Sequence, residues 1–265
     1  MRRPRAAVVT VAGLLGLTAS LAAQDPWSRV PAFPTSCYDT GNPGFLEMLS
    51  SFRHEVVAAA DRQTAINSAL RQKLIDMDPS EKQSKMMAFM MKNPTEAGQM
   101  MQDIAAAGQQ SNQFMEQFLQ KKAALDEQLN SAESLYLKAK APLDAVLQQW
   151  NAAQPDHGKP RNPVLSRQLA ARYDAEYEHL CAKWLRADSS PLLKYLSDLK
   201  AFQISEQIPG ELERERHLKR EFDLYGVAHG TLKSTAAQQA VLDYVTAMTT
   251  VFRRRDTQTL TARSK

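Results

Sequence analysis

The sequence lacks the short motifs that identify most phosphate-binding and hydrolytic enzymes. Only 10 of its 265 residues are glycine, and none of them forms a glycine-rich phosphate loop or a nucleophile elbow. The five histidines include no pair with zinc-binding spacing. One Glu-x-x-His step occurs, at Glu176 and His179, whereas di-iron carboxylate bundles need two such steps and two further glutamates. We therefore predict a protein that is not an enzyme and has no catalytic residues, no metal site and no cofactor.

The N-terminal apolar stretch is too short to span a bilayer. Residues 6–21 form a run of about 16 residues that includes two glycines, whereas a spanning helix needs roughly 20 apolar residues. Three arginines precede this run, and Ser20, Leu21 and Ala22 supply small residues at both positions that a signal peptidase reads. We predict that residues 1–22 are a signal peptide cleaved after Ala22. The mature chain is then periplasmic or extracellular and has no transmembrane segment.

Excess positive charge is small once the signal peptide is removed. The formal net charge of +4 includes three signal-peptide arginines and no acidic residue from that segment, so the mature chain carries about +1. The remaining basic excess lies in a tail over residues 253–265, which leaves the body slightly acidic. This balance argues against a nucleic-acid partner.

Cysteine occurs only twice, at Cys37 and Cys181. An exported protein lies in a compartment where disulfides form and persist, so we predict a bridge between these two residues. The alternative is that Cys181, beside Leu180 on an apolar helix face, is a buried small hydrophobic residue.

Strand signals are nearly absent from the chain, while helix starts are frequent. In five places a residue with a capping side chain stands directly before a proline, and proline favours the first position of a helix. Between these starts, apolar residues recur every three or four positions, which is the spacing of one helix face. We predict an all-α protein with helix starts at Asn42 with Pro43, Asp78 with Pro79, Asn93 with Pro94, Asn162 with Pro163, and Ser190 with Pro191.

The length of the apolar patterns predicts an elongated, coiled-coil-like hairpin of long helices followed by a small C-terminal helical bundle. A pattern close to 3.5 residues per turn runs from Leu49 to Met77, and a second one begins near Met100. Proline should kink or end the second long helix at Pro142, and Pro209 with Gly210 should break the chain again. The predicted segments are an extended N-terminal segment over 23–43, the hairpin over 44–153, a proline-rich linker over 154–163, the bundle over 164–252 and the basic tail over 253–265.

Methionine is concentrated in one part of the hairpin. Seven of the eleven methionines lie between residues 86 and 115, and residues 86–91 place apolar side chains around nearly the whole helix circumference. Because prolines flank this short helix, we expect it at the bend of the hairpin, with at least three of Met86, Met87, Phe89, Met90 and Met91 exposed. The predicted partner-binding residues are Met86, Met87, Phe89, Met90, Met91, Met100 and Met101.

Three interpretations of the methionine-rich segment stay open. Methionine fills irregular core gaps, so the segment could be buried. It also forms adaptable binding surfaces that repack around different apolar partners. Thioether groups bind Cu(I), and pairs four residues apart share a helix face. The paired methionines around Asn93 and Pro94 loosely resemble the short methionine-rich helical repeats of heat-shock co-chaperones and ubiquilins, but that resemblance does not assign the chain to a family.

From these patterns we predict a non-catalytic binding or scaffold protein, or a holdase-like protein, that uses a methionine-rich apolar helical surface to bind a protein partner or apolar client. The alternative function is periplasmic Cu(I) binding through clustered methionines. A third hypothesis is an enzyme whose site assembles from scattered polar residues. The sequence indicates neither the identity of a partner nor an oligomeric state.

Overall fold

The protein was analysed as a computed structural model, which describes residues 25–34, 44–153, 162–187 and 189–255. These residues are predominantly helical and contain no β-strand, which confirms the all-α prediction. A 3₁₀ helix, Pro26–Arg29, precedes the α-helices. Two π-helical turns, Ala182–Arg186 and Gln203–Gln207, follow the fourth and fifth helices. The α-helices are α1 Phe45–Ile75, α2 Pro79–Lys92, α3 Pro94–Ala152, α4 Pro163–Cys181, α5 Pro191–Phe202, α6 Ile208–Leu224 and α7 Ala236–Arg255.

Four of the five predicted helix starts are confirmed, because α2, α3, α4 and α5 each begin at the expected proline. The Asp78 side chain accepts a hydrogen bond from the backbone N–H of Ser80, at 2.7 Å. The Asn162 side chain accepts from the backbone N–H groups of Val164 and Leu165. These bonds satisfy donors that have no partner within the helix. The fifth pair lies outside the described residues, and α1 begins after Gly44, whose φ is +78°.

Helix α3 is longer than the sequence pattern indicated. It contains 59 residues and passes through Pro142 without ending there. At 1.5 Å per residue its length is about 90 Å. The proline has no N–H to donate to the carbonyl of Lys138, yet apolar packing on both sides continues, since Tyr136, Leu143 and Val146 are buried.

The main hydrophobic core joins residues from both of the segments that we assigned to separate units. Helix α1 packs mainly against α7, and α3 packs mainly against α4 and α5. The predicted arrangement of a long hairpin followed by a distinct bundle is therefore not confirmed. We call this group the main core; its buried members include Phe45, Leu49, Phe52 and Val56 of α1, Ala132, Tyr136, Leu143 and Val146 of α3, and Tyr173, Tyr177, Leu192, Leu196, Val241, Val245, Met248 and Phe252 of α4, α5 and α7.

A second, smaller core lies at the C-terminal end of α1. We call it the minor core; its buried members are Leu70, Leu74, Phe222 and Leu232. Between the two cores the α1 pattern is interrupted, and Ile66 is 42% exposed although its spacing predicted a buried position. At this level Gln63 and Asn67 instead donate hydrogen bonds to the backbone carbonyls of Thr231 and Lys233, at 2.9 and 2.8 Å.

The described part of the N-terminal segment, residues 25–34, is not wholly extended, because it contains the 3₁₀ helix. It packs against α7, where the Trp27 ring lies 5.4 Å from that of Tyr244. The Phe33 ring lies 6.2 Å from both Phe45 and Phe252. The segment therefore covers one end of the main core.

The predicted break at Pro209 and Gly210 is wrong. The chain stays helical from Pro191 to Leu224, and a π-helical turn directly precedes α6. The wider turn lies where Pro209 cannot supply an N–H, which is a known way of fitting a proline into a helix. No helix among the described residues has both the length and the apolar character needed to cross a membrane.

Candidate binding surface

Helix α2 is largely exposed and carries five of the seven predicted binding residues. It packs on α3 and touches α6. None of its residues, all of which the structure describes, is buried. The side chains that face the rest of the protein are partly buried and recur at helical spacing: Lys82, Lys85, Met86 and Phe89. One face of the helix therefore rests on the body of the protein, and the opposite face meets solvent.

The exposed face of α2 carries three methionines near its C-terminal end. Met87, Met90 and Met91 are 52%, 40% and 85% exposed. Residues three and four positions apart lie on one helix face, so these three side chains are neighbours. The expectation that at least three apolar residues of this helix are exposed is confirmed, while Met86 and Phe89 are partly buried. We call Met87, Met90 and Met91 the methionine surface.

The two predicted binding residues of α3 differ in exposure. Met101 is 44% exposed, but Met100 is only 7% exposed and belongs to the packed interior together with Ala97. Because Met100 is buried, it does not belong to the exposed surface that the sequence predicted. Spacing could not separate the two residues, because adjacent methionines on a helix differ only in the face that tertiary packing covers.

The turns of α2 before the methionine surface carry uncharged side chains on their outward side. On the outward side of α2, the exposed residues before Met87 are Ser80, Gln83 and Ser84. Lys85 forms an ion pair with Glu81, at 2.8 Å, which balances its charge. Asp103 of α3 forms an ion pair with Arg220 of α6, at 2.9 Å, and this pair balances both charges. An approaching group therefore meets thioethers and small polar side chains on this face, with the exposed Lys92 directly after Met91.

Further along α3, aromatic packing covers the helix. The Phe118 ring lies 6.0 Å from Phe114 and 5.2 Å from Phe202. The guanidinium carbon of Arg214 lies over the Phe114 ring, 6.0 Å from its centroid. Nη2 of the same group lies 3.7 Å from the sulfur of Met115. These contacts hold α3 against α5 and α6. Among the described methionines of this segment, the exposed ones therefore lie in α2 and at Met101 of α3, while Met115 is partly buried.

The pKa of Asp78, which caps α2, is lowered because the hydroxyl and then the backbone N–H of Ser80 donate hydrogen bonds to its carboxylate. Three further described groups have a pKa that departs from the ordinary value. Hydrogen bonds from Lys194, within α5, and then from Gln128 of α3 lower the pKa of Asp198, and the second of them connects α5 with α3. Burial raises the pKa of Tyr195 and of Tyr244, which lie within the helix packing. None of these three residues adjoins the methionine surface.

A polar groove of about 520 Å³ lies between α1, α6 and the start of α7. Its walls include Arg71, Arg214 and Lys233 as well as the carboxylates of Glu211 and Glu215. One carboxylate oxygen of Glu215 is buried and makes no hydrogen bond within the part of the chain that the structure describes. Sequence reasoning missed this groove because its walls come from three distant segments, none of which carries a motif.

The described residues supply no candidate metal site of the common ligand types, and they do not test the predicted disulfide. The described residues contain no group of three or more His, Cys, Asp or Glu side chains placed to hold a metal ion. Cys181 is completely buried. Its predicted partner, Cys37, lies outside the described residues, so the bridge stays a prediction.

Comparison with known proteins does not extend these observations. The chain matches no protein-family model, no curated protein and no solved structure. Any function must therefore be argued from the surfaces of this protein alone.

Proposed function

We propose that this protein is an exported, non-catalytic binding protein of the scaffold or holdase type, which captures an apolar segment of another protein on the methionine surface. One observation carries the proposal. Three apolar side chains within five consecutive positions of α2 are exposed, on a helix that contributes no buried residue of its own. Single exposed apolar residues are common, but a contiguous group of them is typical of interaction sites.

Methionine suits this role because of its flexibility. Its unbranched side chain can adopt many shapes, so the same surface can repack around apolar partners that differ in detail. The outward side chains of the preceding turns, Ser80, Gln83 and Ser84, are uncharged, which would favour an apolar partner on this face of α2. The same helix rests on α3 with its opposite face, which would support the surface from below.

The size of the surface indicates weak, reversible binding. Covering the exposed fractions of Met87, Met90 and Met91 would yield about 3–5 kcal/mol, at roughly 1.5–3 kcal/mol for a fully buried side chain. A dissociation constant of 1 mM corresponds to about 4 kcal/mol, before the entropic cost of association. Holdase-like capture of exposed apolar segments requires only weak contacts of this kind, whereas a permanent complex would need a larger interface.

The remaining parts of the proposal follow from the sequence. Residues 1–22 would direct export to the periplasm or the extracellular space. Helices α1 and α3 would act as the arms of a long hairpin that presents α2, with the C-terminal helices packed beside them as a bundle.

The proposal is tested by removing the apolar character of the surface while keeping its shape. The triple variant M87Q/M90Q/M91Q retains side-chain length and helix propensity but adds polar amide groups. The mature protein should suppress the aggregation of reduced insulin, followed by light scattering, and the triple variant should lose most of that activity. Helical circular dichroism and the urea midpoint should stay close to those of the unaltered protein, because the three side chains are exposed.

A matched control is M48Q. Met48 is 54% exposed but lies on α1, away from any other exposed methionine in the chain sequence. This variant should suppress aggregation as well as the unaltered protein does. The proposal fails if the unaltered protein does not suppress aggregation, or if the triple variant retains full activity.

A further inference from the structure

The three members of the methionine surface have the spacing of a metal site as well as that of an apolar patch. Met87 has Met90 three positions later and Met91 four positions later, and all three are exposed. On a helix, residues at these separations have Cβ atoms about 5–6 Å apart. Since a methionine side chain has several rotatable bonds, three sulfurs can converge on a point above the helix without any movement of the backbone.

The chemistry of the donor set selects the ion. Thioether sulfur is a soft, uncharged ligand that suits Cu(I), whereas carboxylate and carbonyl oxygens suit Mg²⁺ and Ca²⁺. The side chains on the outward face before Met87 are serine and glutamine, so no carboxylate there would attract a hard divalent ion. The one nearby acid on α2, Glu81, is paired with Lys85.

We propose that Met87, Met90 and Met91 form a three-thioether site for one soft monovalent cation, Cu(I) or Ag(I). Met86 does not belong to the site, because it is partly buried on the face that rests on the body of the protein. Met100 and Met248 are excluded by burial, at 7% and 1% exposure. The site is a property of sulfur ligation, so it does not depend on the capture of an apolar partner by the same surface.

The test uses the mature chain labelled with ¹³C at the methionine methyl groups and titrated with silver nitrate in a chloride-free buffer. The methyl resonances of Met87, Met90 and Met91 should shift together, saturate, and share one midpoint. The resonance of Met48, which is equally exposed but isolated, should not move with that midpoint. Because the readout is the methionine methyl group, silver captured by a cysteine does not imitate the result.

Variants separate ligation from packing. M87L/M91L keeps apolar volume and removes two sulfurs, so it should abolish the saturable shift at Met90 while leaving the circular-dichroism signal unchanged. Insulin aggregation is measured with the unaltered protein in the absence of silver, and the methyl shifts are measured in the absence of insulin. A failure of the metal site and a failure of the proposed function are therefore seen in separate experiments. Anaerobic Cu(I), kept reduced with ascorbate, should reproduce the silver shifts.

Several results would overturn the site. These are the absence of a saturable shift, a shift of Met48 that follows the same midpoint as the three surface methionines, or a shift at Met90 that persists in M87L/M91L.

Discussion

Substitution of Gly210 by alanine tests the contact that positions the methionine-rich part of α3 on α6. An added Cβ at this position would lie 2.0 Å from Cζ of Phe114, and 2.5 and 2.8 Å from Cε1 and Cε2 of the same ring. Carbon atoms in ordinary contact lie about 3.5–4.0 Å apart, so the ring would have to move by more than 1 Å. Phe114 is packed between Phe118 and the guanidinium of Arg214, which resist that movement.

Two opposing effects determine the magnitude. Overpacking typically costs about 1–3 kcal/mol, while replacing glycine by alanine within a helix contributes about 0.5–1 kcal/mol of stability. We therefore expect Gly210→Ala to lower the free energy of unfolding by about 0.5–2 kcal/mol. In a Phe114→Ala background the ring is absent, so the same substitution should raise that free energy by about 0.5–1 kcal/mol.

The assay is urea denaturation of the four proteins of this double-mutant cycle, followed by circular dichroism. The reversal of sign is the decisive result, because helix propensity alone cannot produce it. Distant, independent sites add to within about 0.3–0.5 kcal/mol. If Gly210→Ala has the same effect in both backgrounds within that margin, the ring does not lie against Gly210 and the placement of α3 on α6 is wrong.

Three further predictions address the core, an inter-helix contact and the cysteines. Leu192→Ala should cost about 2–5 kcal/mol in urea denaturation because Leu192 is fully buried, whereas Leu212→Ala, at a position 40% exposed, should cost much less; equal losses would contradict the assigned core. Asp198→Asn should lower the urea midpoint at pH 7, because a carboxyl with a lowered pKa stabilises the folded protein while it is ionised. The difference from the unaltered protein should disappear as the pH falls from about 4 through the lowered pKa of Asp198, since protonation removes that stability. A difference that persists at pH 2 would refute this explanation. Intact mass spectrometry of the exported chain, denatured and alkylated without reductant, should show no modification of Cys37 or Cys181, and two alkylated thiols would exclude the bridge.

Local features of the fold could be predicted from the sequence because they depend on neighbours in the chain. A capping side chain before a proline acts within one helical turn, so the starts of α2, α4 and α5 could be located from residue order alone. The apolar face of α7 likewise follows from its spacing, because Val241, Val245, Met248 and Phe252 recur every three or four positions and all four are buried.

Contacts between distant segments could not be predicted in the same way. In α1, Gln63 and Asn67 donate hydrogen bonds to the backbone carbonyls of Thr231 and Lys233. No local sequence pattern connects these distant residues. The continuity of α5 with α6 depends on a π-helical turn that offsets the helix-breaking tendency of Pro209. In both places the tertiary structure overrides the preference of the local sequence.

The candidate binding surface lies between these two cases. A helix with apolar residues around its whole circumference must have some of them exposed when it packs on one side only, and spacing alone groups Met87, Met90 and Met91. Which face is covered depends on α3 and α6, so the burial of Met100 and the partial burial of Met86 and Phe89 required the structure.

The separation of the minor core from the main core has a consequence for cooperativity. Proteins open locally in units whose free energies range from near zero to that of global unfolding, and regions with few buried apolar contacts open first. Among the described residues the minor core has four buried members, and the part of α1 between the two cores is held by the exposed hydrogen bonds of Gln63 and Asn67. Backbone amides of residues 225–235 should therefore exchange with solvent deuterium through a sub-global opening that leaves the main core protected. Only residues 76–78 separate α1 from α2, so the same opening would release the end of α1 to which α2 is joined by the chain. The orientation of the methionine surface is thereby linked to the least stable part of the hydrophobic interior.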